Sequence, residues 1–214
     1  SHVYGREDLH VGMDLVVFSS CRGFTFRGAV ENRSWVQALC IGDTGQARTL
    51  AANRLRRHYR VGNLFSCENA RTTGLVGSCV QNGTNNWRIQ WSAYPNANMG
   101  WLILDELHEL KEGQFSELST ARSSGVASIR KVAGGETPAR VRLLCLSNPR
   151  GVGDRRRLAS FANGVEAVVE LIPEIEDIRR FDFALTVATG EVATSVINAV
   201  DHERIAHVYT SALN

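Results

Sequence analysis

The sequence predicts an α/β domain whose largely parallel sheet is sandwiched between helices. Three observations predict it. Short apolar stretches alternate with helical ones, a Gly-rich turn joins the first apolar strand to the first long helix, and a later apolar strand delivers two carboxylates at its end. The first strand is expected over 36–41 and the helix after it over 46–59. A strand follows over 63–67. The stretch 75–91 runs through apolar residues to the polar turn Gln81-Asn82-Gly83-Thr84-Asn85-Asn86, then alternates as Trp87-Arg88-Ile89-Gln90-Trp91, which reads as a hairpin. A strand over 101–104 leads to a helix from about 112 to 122. Ser128-Ile129-Arg130-Lys131-Val132-Ala133-Gly134-Gly135 reads as a second hairpin with a basic tip, and a strand follows over 142–146. Both hairpins interrupt the α/β alternation and are read as insertions. One or two helices over 192–214 begin a new layer.

At 214 residues, with four prolines and no internal repeat, the chain is expected to form one domain with a full core. An apolar share of 43% and a charged share of 21% exclude disordered, collagen-like and coiled-coil classes. The longest apolar runs are Trp101-Leu102-Ile103-Leu104 and Leu143-Leu144-Cys145-Leu146. A membrane span needs about 18 such residues, so no membrane association is expected. Cys21, Cys40, Cys67, Cys79 and Cys145 form an odd set with no Cys-x-x-Cys pair, which fits neither a disulfide framework nor a zinc site. A reducing, intracellular location is the expectation. The net charge of +2 comes from 24 basic and 22 acidic side chains, so any polyanion site must be local. Only Lys111 and Lys131 are lysines; the other basic residues are arginines.

Four segments could carry chemistry. Gly42-Asp43-Thr44-Gly45-Gln46-Ala47-Arg48-Thr49 follows a strand and opens a helix, where backbone N–H groups and the helix dipole can hold phosphates. It departs from the G-x-x-x-x-G-K-[ST] pattern at Ala47 and Arg48, and an ordinary Gly-rich strand-to-helix turn is the competing reading. Asp105 and Glu106 end a buried strand. There an Asp can hold Mg²⁺ through water and a Glu can polarise an attacking water, although acidic pairs also start solvated loops. Asn148 follows the strand at 142–146 and could orient a water near a γ-phosphate, or simply open a turn before Pro149. Arg180, in Arg179-Arg180-Phe181-Asp182, could complete a neighbour's site or form a surface ion pair.

The order of these parts resembles the AAA+ ATPases, which are P-loop NTPases, and among them the minichromosome maintenance (MCM) replicative helicases. The similarity starts at Val3-Tyr4-Gly5-Arg6-Glu7-Asp8 and continues through Gly42 to Thr49, where the family has Gly-Asp-Pro-Gly, an Ala, then Lys-Ser. Thr73-Gly74-Leu75 matches the start of the helix-2 insert, and Leu104-Asp105-Glu106 the Walker B strand. Ser128-Ile129-Arg130-Lys131 matches the pre-sensor-1 β-hairpin, with Ala139-Arg140 as its return. Ser147-Asn148-Pro149-Arg150-Gly151 matches sensor 1, and Arg180-Phe181-Asp182 the arginine finger. The resemblance spans about residues 3 to 200.

The resemblance implies ATP and Mg²⁺ as cofactors, bound by Gly42, Asp43, Thr44, Gly45, Gln46, Ala47, Arg48 and Thr49. It gives Thr49 and Asp105 to the metal, and Glu106, Asn148 and Arg180 to catalysis. Arg180 would act on the next subunit of a six-membered ring. Arg130 and Lys131 would contact single-stranded DNA in the channel of that ring. The implied location is cytoplasmic or nucleoid-associated, or nuclear in a eukaryote. Residues 1–190 would form the ATPase core and 191–214 the start of a truncated helical lid, with the family's N-terminal DNA-binding domain absent. Arg48 stands where the family has Lys. A planar guanidinium on a longer stem and a compact ammonium are not interchangeable between two phosphates, so the two expectations are a working helicase motor and an impaired paralogue that binds ATP but barely hydrolyses it.

Overall fold

The computed structural model describes residues 3–22, 24–26, 29–83, 86–111, 113–150 and 157–197. Chain order begins with α1 (Glu7–Phe18), the short hairpin β1 (Phe24–Phe26) and β2 (Ala29–Asn32), then β3 (Gln37–Gly42), α2 (Arg48–Tyr59) and β4 (Asn63–Ser66). α3 (Thr72–Leu75), the hairpin β5 (Gly77–Gln81) and β6 (Trp87–Trp91), and α4 (Ala93–Asn96) lead to β7 (Trp101–Asp105). After α5 (Ser119–Ser124) come the hairpin β8 (Val126–Arg130) and β9 (Gly134–Pro138), then β10 (Arg142–Ser147). α6 (Gly164–Leu171), α7 (Ile175–Ile178), β11 (Phe183–Val187) and α8 (Thr194–Ile197) complete the described chain.

Five strands form one parallel sheet in the order β11-β3-β10-β7-β4. Parallel neighbours require crossover connections, and the helices that supply them cover both faces. The strand sequences explain why. In β3 all six residues are buried, with Ala38 and Cys40 facing one layer and Leu39 and Ile41 the other. On the first face these residues, with Ile103, Leu144 and Leu146, meet Leu9, Met13 and Val16 of α1 and Ala51 and Ala52 of α2. On the second face Leu102, Leu104, Leu143 and Cys145 meet Leu75, Tyr94, Leu118 and Ala121, together with Ala167 and Leu171 of α6. Each fully buried Leu or Ile contributes about 1.5–3 kcal/mol relative to exposure. The two-sided core therefore fixes the strand ends relative to one another.

Three antiparallel hairpins stand outside this sheet, and two of them, β5–β6 and β8–β9, pack on each other. The Cys79 thiol donates to the Ala133 carbonyl at 3.4 Å. A Cβ at Gly135 would come within 2.7 Å of Ile89 Cδ1, so a larger residue there would require the Ile89 side chain to shift.

Several boundaries move from the expected ones. The helix expected from residue 46 begins at Arg48, because Gly45 (φ 82) and Ala47 (φ 59) are left-handed and cannot extend a right-handed helix. The helix expected over 112–122 is instead a 3-10 turn at Ser116–Leu118 followed by α5; Gly113 (φ 77) breaks the run, and residue 112 lies outside the described residues. The strand expected to 67 ends at Ser66. Thr84 and Asn85 of the first hairpin turn, and the expected helices beyond residue 197, also lie outside the described residues. No helix among the described residues is long and apolar enough to cross a membrane. All five cysteines are free, and burial pushes the Cys40 and Cys67 thiols up to about 12.

Candidate functional site

β3, β10 and β7 are adjacent and parallel, so their carboxyl ends open on one edge of the sheet. Ligands bind at such edges in open α/β sheets. Gly42 ends β3, Ser147 ends β10 and Asp105 ends β7, and each is followed by a polar segment that turns over this edge.

The turn from β3 to α2 is anchored by Asp43, which is only 4% exposed. One of its carboxylate oxygens accepts the Leu158 N–H and the other the Thr189 N–H, each at 2.7 Å. Burial works to raise its pKa. Hydrogen bonds from Thr189 and Leu158, with the nearby Arg48 charge, outweigh that effect and hold the carboxyl below its usual value. The tip, Thr44-Gly45, is exposed. Gly45 has φ 82, and a Cβ built there would meet nothing within 4 Å, so the loop tip faces open space beside the start of α2. Backbone amides of such a turn, together with a helix N-terminus, suit an anion.

Arg48 turns back beneath this loop. Its guanidinium donates to the Ser147 carbonyl, to Asn148 Oδ1 and, at 3.2 Å, to the Asp43 carbonyl. Burial lowers its pKa from the ordinary value, and Glu106, Asp105 and Asp43 act in the opposite direction. A guanidinium is not deprotonated in proteins, so Arg48 stays a cation. Thr49 donates through Oγ1 to Asp105 Oδ1 at 3.2 Å. The donated hydrogen leaves a Thr49 lone pair that could ligate Mg²⁺ directly, and it sets the Asp105 carboxylate where it could hold the same ion through a water. Among the described residues no group of three or more His, Cys, Asp or Glu side chains could hold a metal ion without such outside ligands.

Glu106 is left-handed (φ 57), a conformation that costs a non-glycine residue about 1 kcal/mol or more and must be held by its surroundings. Its N–H donates to Asp105 Oδ1 at 3.1 Å, and its Oε2 accepts Asn148 Nδ2 at 3.4 Å. Asn148 is in turn set by Ser147, whose hydroxyl donates to the Asn148 carbonyl at 2.9 Å and accepts the His108 N–H at 3.1 Å. The structure thus gathers Arg48, Thr49, Asp105, Glu106 and Asn148 around one edge, where a γ-phosphate, a metal and an attacking water could be handled together.

The other expected residues lie elsewhere. Arg180 precedes the amino end of β11, whereas the loop leaves the carboxyl end of neighbouring β3. A five-residue strand spans about 16 Å, so Arg180 belongs to the opposite rim from its own chain's phosphate loop. Its side chain bonds Ser123 Oγ, the Glu176 carbonyl and Asp177. Arg130 and Lys131 are exposed at the β8–β9 tip; the Arg130–Glu136 contact of 3.6 Å is solvated and contributes little.

Sequence reasoning passed over Arg6. It is 6% exposed, pairs with Glu191, and donates to Gln46 Oε1 at 2.6 Å and to the Ala188 carbonyl at 2.8 Å. It thereby ties the start of α1 to the phosphate loop and to the segment after β11. A single Arg beside an acidic pair carries no periodic signal, and only the fold brings these partners together.

Residues 1–196 match a family model described as the MCM P-loop domain. A comparison with curated proteins gave no match.

Proposed function

Because the chain belongs to the MCM P-loop family, we propose that it binds ATP with Mg²⁺ over the 42–49 loop and couples that nucleotide to single-stranded DNA in a ring of subunits. In this reading residues 1–190 are the motor core and 191–214 start a helical lid. The observation that carries it is the linked set at the strand ends: Thr49 on Asp105, Glu106 on Asn148, and Asn148 on Arg48.

Each residue has a task that follows from its position. Amides of the 42–49 loop and the α2 N-terminus hold phosphate oxygens. Thr49 directly, and Asp105 through water, would hold Mg²⁺, which would supply positive charge against the nucleotide's phosphates. Glu106 accepts a hydrogen bond from the attacking water and aims it, and Asn148 orients the Glu106 carboxylate and the γ-phosphate side of the site. Arg180, being on the opposite rim, serves a neighbour's γ-phosphate. The exposed tip with Arg130 and Lys131 follows the phosphates of a single strand, which requires local rather than overall positive charge.

A second reading, an impaired ring or scaffold subunit, draws support from one residue. The Arg48 guanidinium donates to Ser147, Asn148 and Asp43, so three of its five N–H groups are already spent within the chain. One assay separates the two: ATP turnover of the full-length protein with and without single-stranded DNA, beside Arg48→Lys. A working motor shows DNA-stimulated turnover unmodified. An impaired subunit shows turnover near zero that rises about tenfold or more in Arg48→Lys, a barrier change of about 1.4 kcal/mol.

A further inference from the structure

A fully buried ion pair lies outside the strand-end site. Arg122 and Asp177 have side-chain exposures of 0% and 2%, with Nη1 and Oδ1 3.4 Å apart. Arg122 also donates to Gln37 Oε1 at 2.9 Å and to the Asp177 carbonyl at 3.1 Å, and its Cζ lies 4.4 Å from the ring centroids of both Phe115 and Phe181. Asp177 accepts further bonds from Ser116 Oγ, at 2.6 Å, and from Ser119 Oγ. Replacing such a pair by apolar residues of similar volume is often neutral or stabilising, so stability alone gives little reason for it.

Its geometry gives a better one. Arg180 Nη1 reaches Asp177 Oδ1 at 3.5 Å, and Arg180 Nε donates to Ser123 Oγ at 2.7 Å. Ser123 Oγ spends its own hydrogen on the Ser119 carbonyl at 2.8 Å, which leaves its lone pairs for Arg180. The backbone is fixed as well: Arg33 donates to the Arg180 carbonyl at 2.9 Å and pairs with Asp182 at 2.7 Å. Asp182 also accepts the Gln37 N–H at 2.7 Å. A free arginine loses rotamer freedom when it engages a phosphate; anchors in the folded chain remove that freedom beforehand.

We infer that Ser123 and Asp177, with Arg122 holding Asp177 in place, are positioning residues that aim Arg180 at a phosphate presented by a neighbouring subunit. This rests on the reading of Arg180 as the residue that acts in trans. α5 supplies Arg122 and Ser123, α7 supplies Asp177, and Arg180 extends from the junction of these two helices.

The test uses the assembled full-length protein and reads the ratio of ATPγS to ADP affinity in Mg²⁺, since only the γ-thiophosphate meets Arg180. Arg180→Ala should lower the ratio about tenfold, on the scale of a charge-assisted bond. Ser123→Ala, at an exposed position that does not threaten the core, should lower it about threefold with ADP affinity unchanged, and Ser123→Thr should restore it. In the Arg180→Ala background Ser123→Ala should have no further effect, which a general structural defect would not reproduce. If Arg180→Ala lowers the ratio and Ser123→Ala does not, the positioning role is overturned and the finger stands. If Arg180→Ala leaves the ratio unchanged, the finger reading falls and the positioning role with it.

Discussion

Replacing Asp43 by Ala tests whether the phosphate loop is held by its own carboxylate. The side chain is 4% exposed, and its two oxygens each accept one backbone N–H at 2.7 Å, from Leu158 and Thr189. A hydrogen bond to a charged group contributes about 1.5–3 kcal/mol, and removing the acceptor leaves a buried donor unpaired. The Leu158 N–H is buried and bears that cost in full, whereas the Thr189 N–H is partly reached by water. A loss of about 3 kcal/mol follows, and at about 2–4 °C per kcal/mol for a domain of this size Tm should fall by about 6–12 °C. Scanning calorimetry of nucleotide-free protein reads it directly. A fall below about 2 °C would refute the claim that this carboxylate anchors the loop.

The same carboxylate should leave a mark on acid stability. Its folded pKa lies below its unfolded value of about 3.9, so its contribution is fully present above that value and is lost as pH falls through the lower folded pKa. Urea midpoints of the native protein and Asp43→Asn should therefore differ by a constant amount above about pH 5 and converge below about pH 4; a gap that widens in acid would contradict the sign. At the β8–β9 tip, Lys131→Ala should weaken binding to single-stranded DNA and reduce the slope of log K against log salt by about 0.7, read by fluorescence anisotropy across a salt series. An unchanged slope would remove this tip from the nucleic-acid surface.

The strands of the sheet interior were legible because burial on both faces leaves continuous apolar runs, as at Trp101–Asp105 and Arg142–Ser147. β11 was not. As an edge strand it alternates between half-buried and exposed until the buried Val187, and its Phe-Ala-Leu-Thr-Val follows a charged turn that carries the more conspicuous Arg180. α1 and α6 were missed for a related reason. α1 exposes Val11, Leu15 and Phe18 as well as burying its core face, which blurs the helical period. α6 is announced mainly by its cap, Asn163 accepting the Glu166 N–H at 3.1 Å. At the strand ends, residue types and order pointed to Arg48, Thr49, Asp105, Glu106 and Asn148. The contacts made by Arg6, and the committed hydrogen bonds of Arg48, exist only between segments far apart in the chain, and no local pattern encodes them.

Calorimetric titration of ATP into the full-length protein, with and without Mg²⁺, tests the central claim most directly. Saturable binding that strengthens when Mg²⁺ is supplied is the expected result, because the proposed site pairs the Thr49 hydroxyl, for direct contact, with the Asp105 carboxylate it bonds at 3.2 Å, for contact through water. No heat at millimolar ATP, or an affinity indifferent to Mg²⁺, would contradict a nucleotide site at these strand ends.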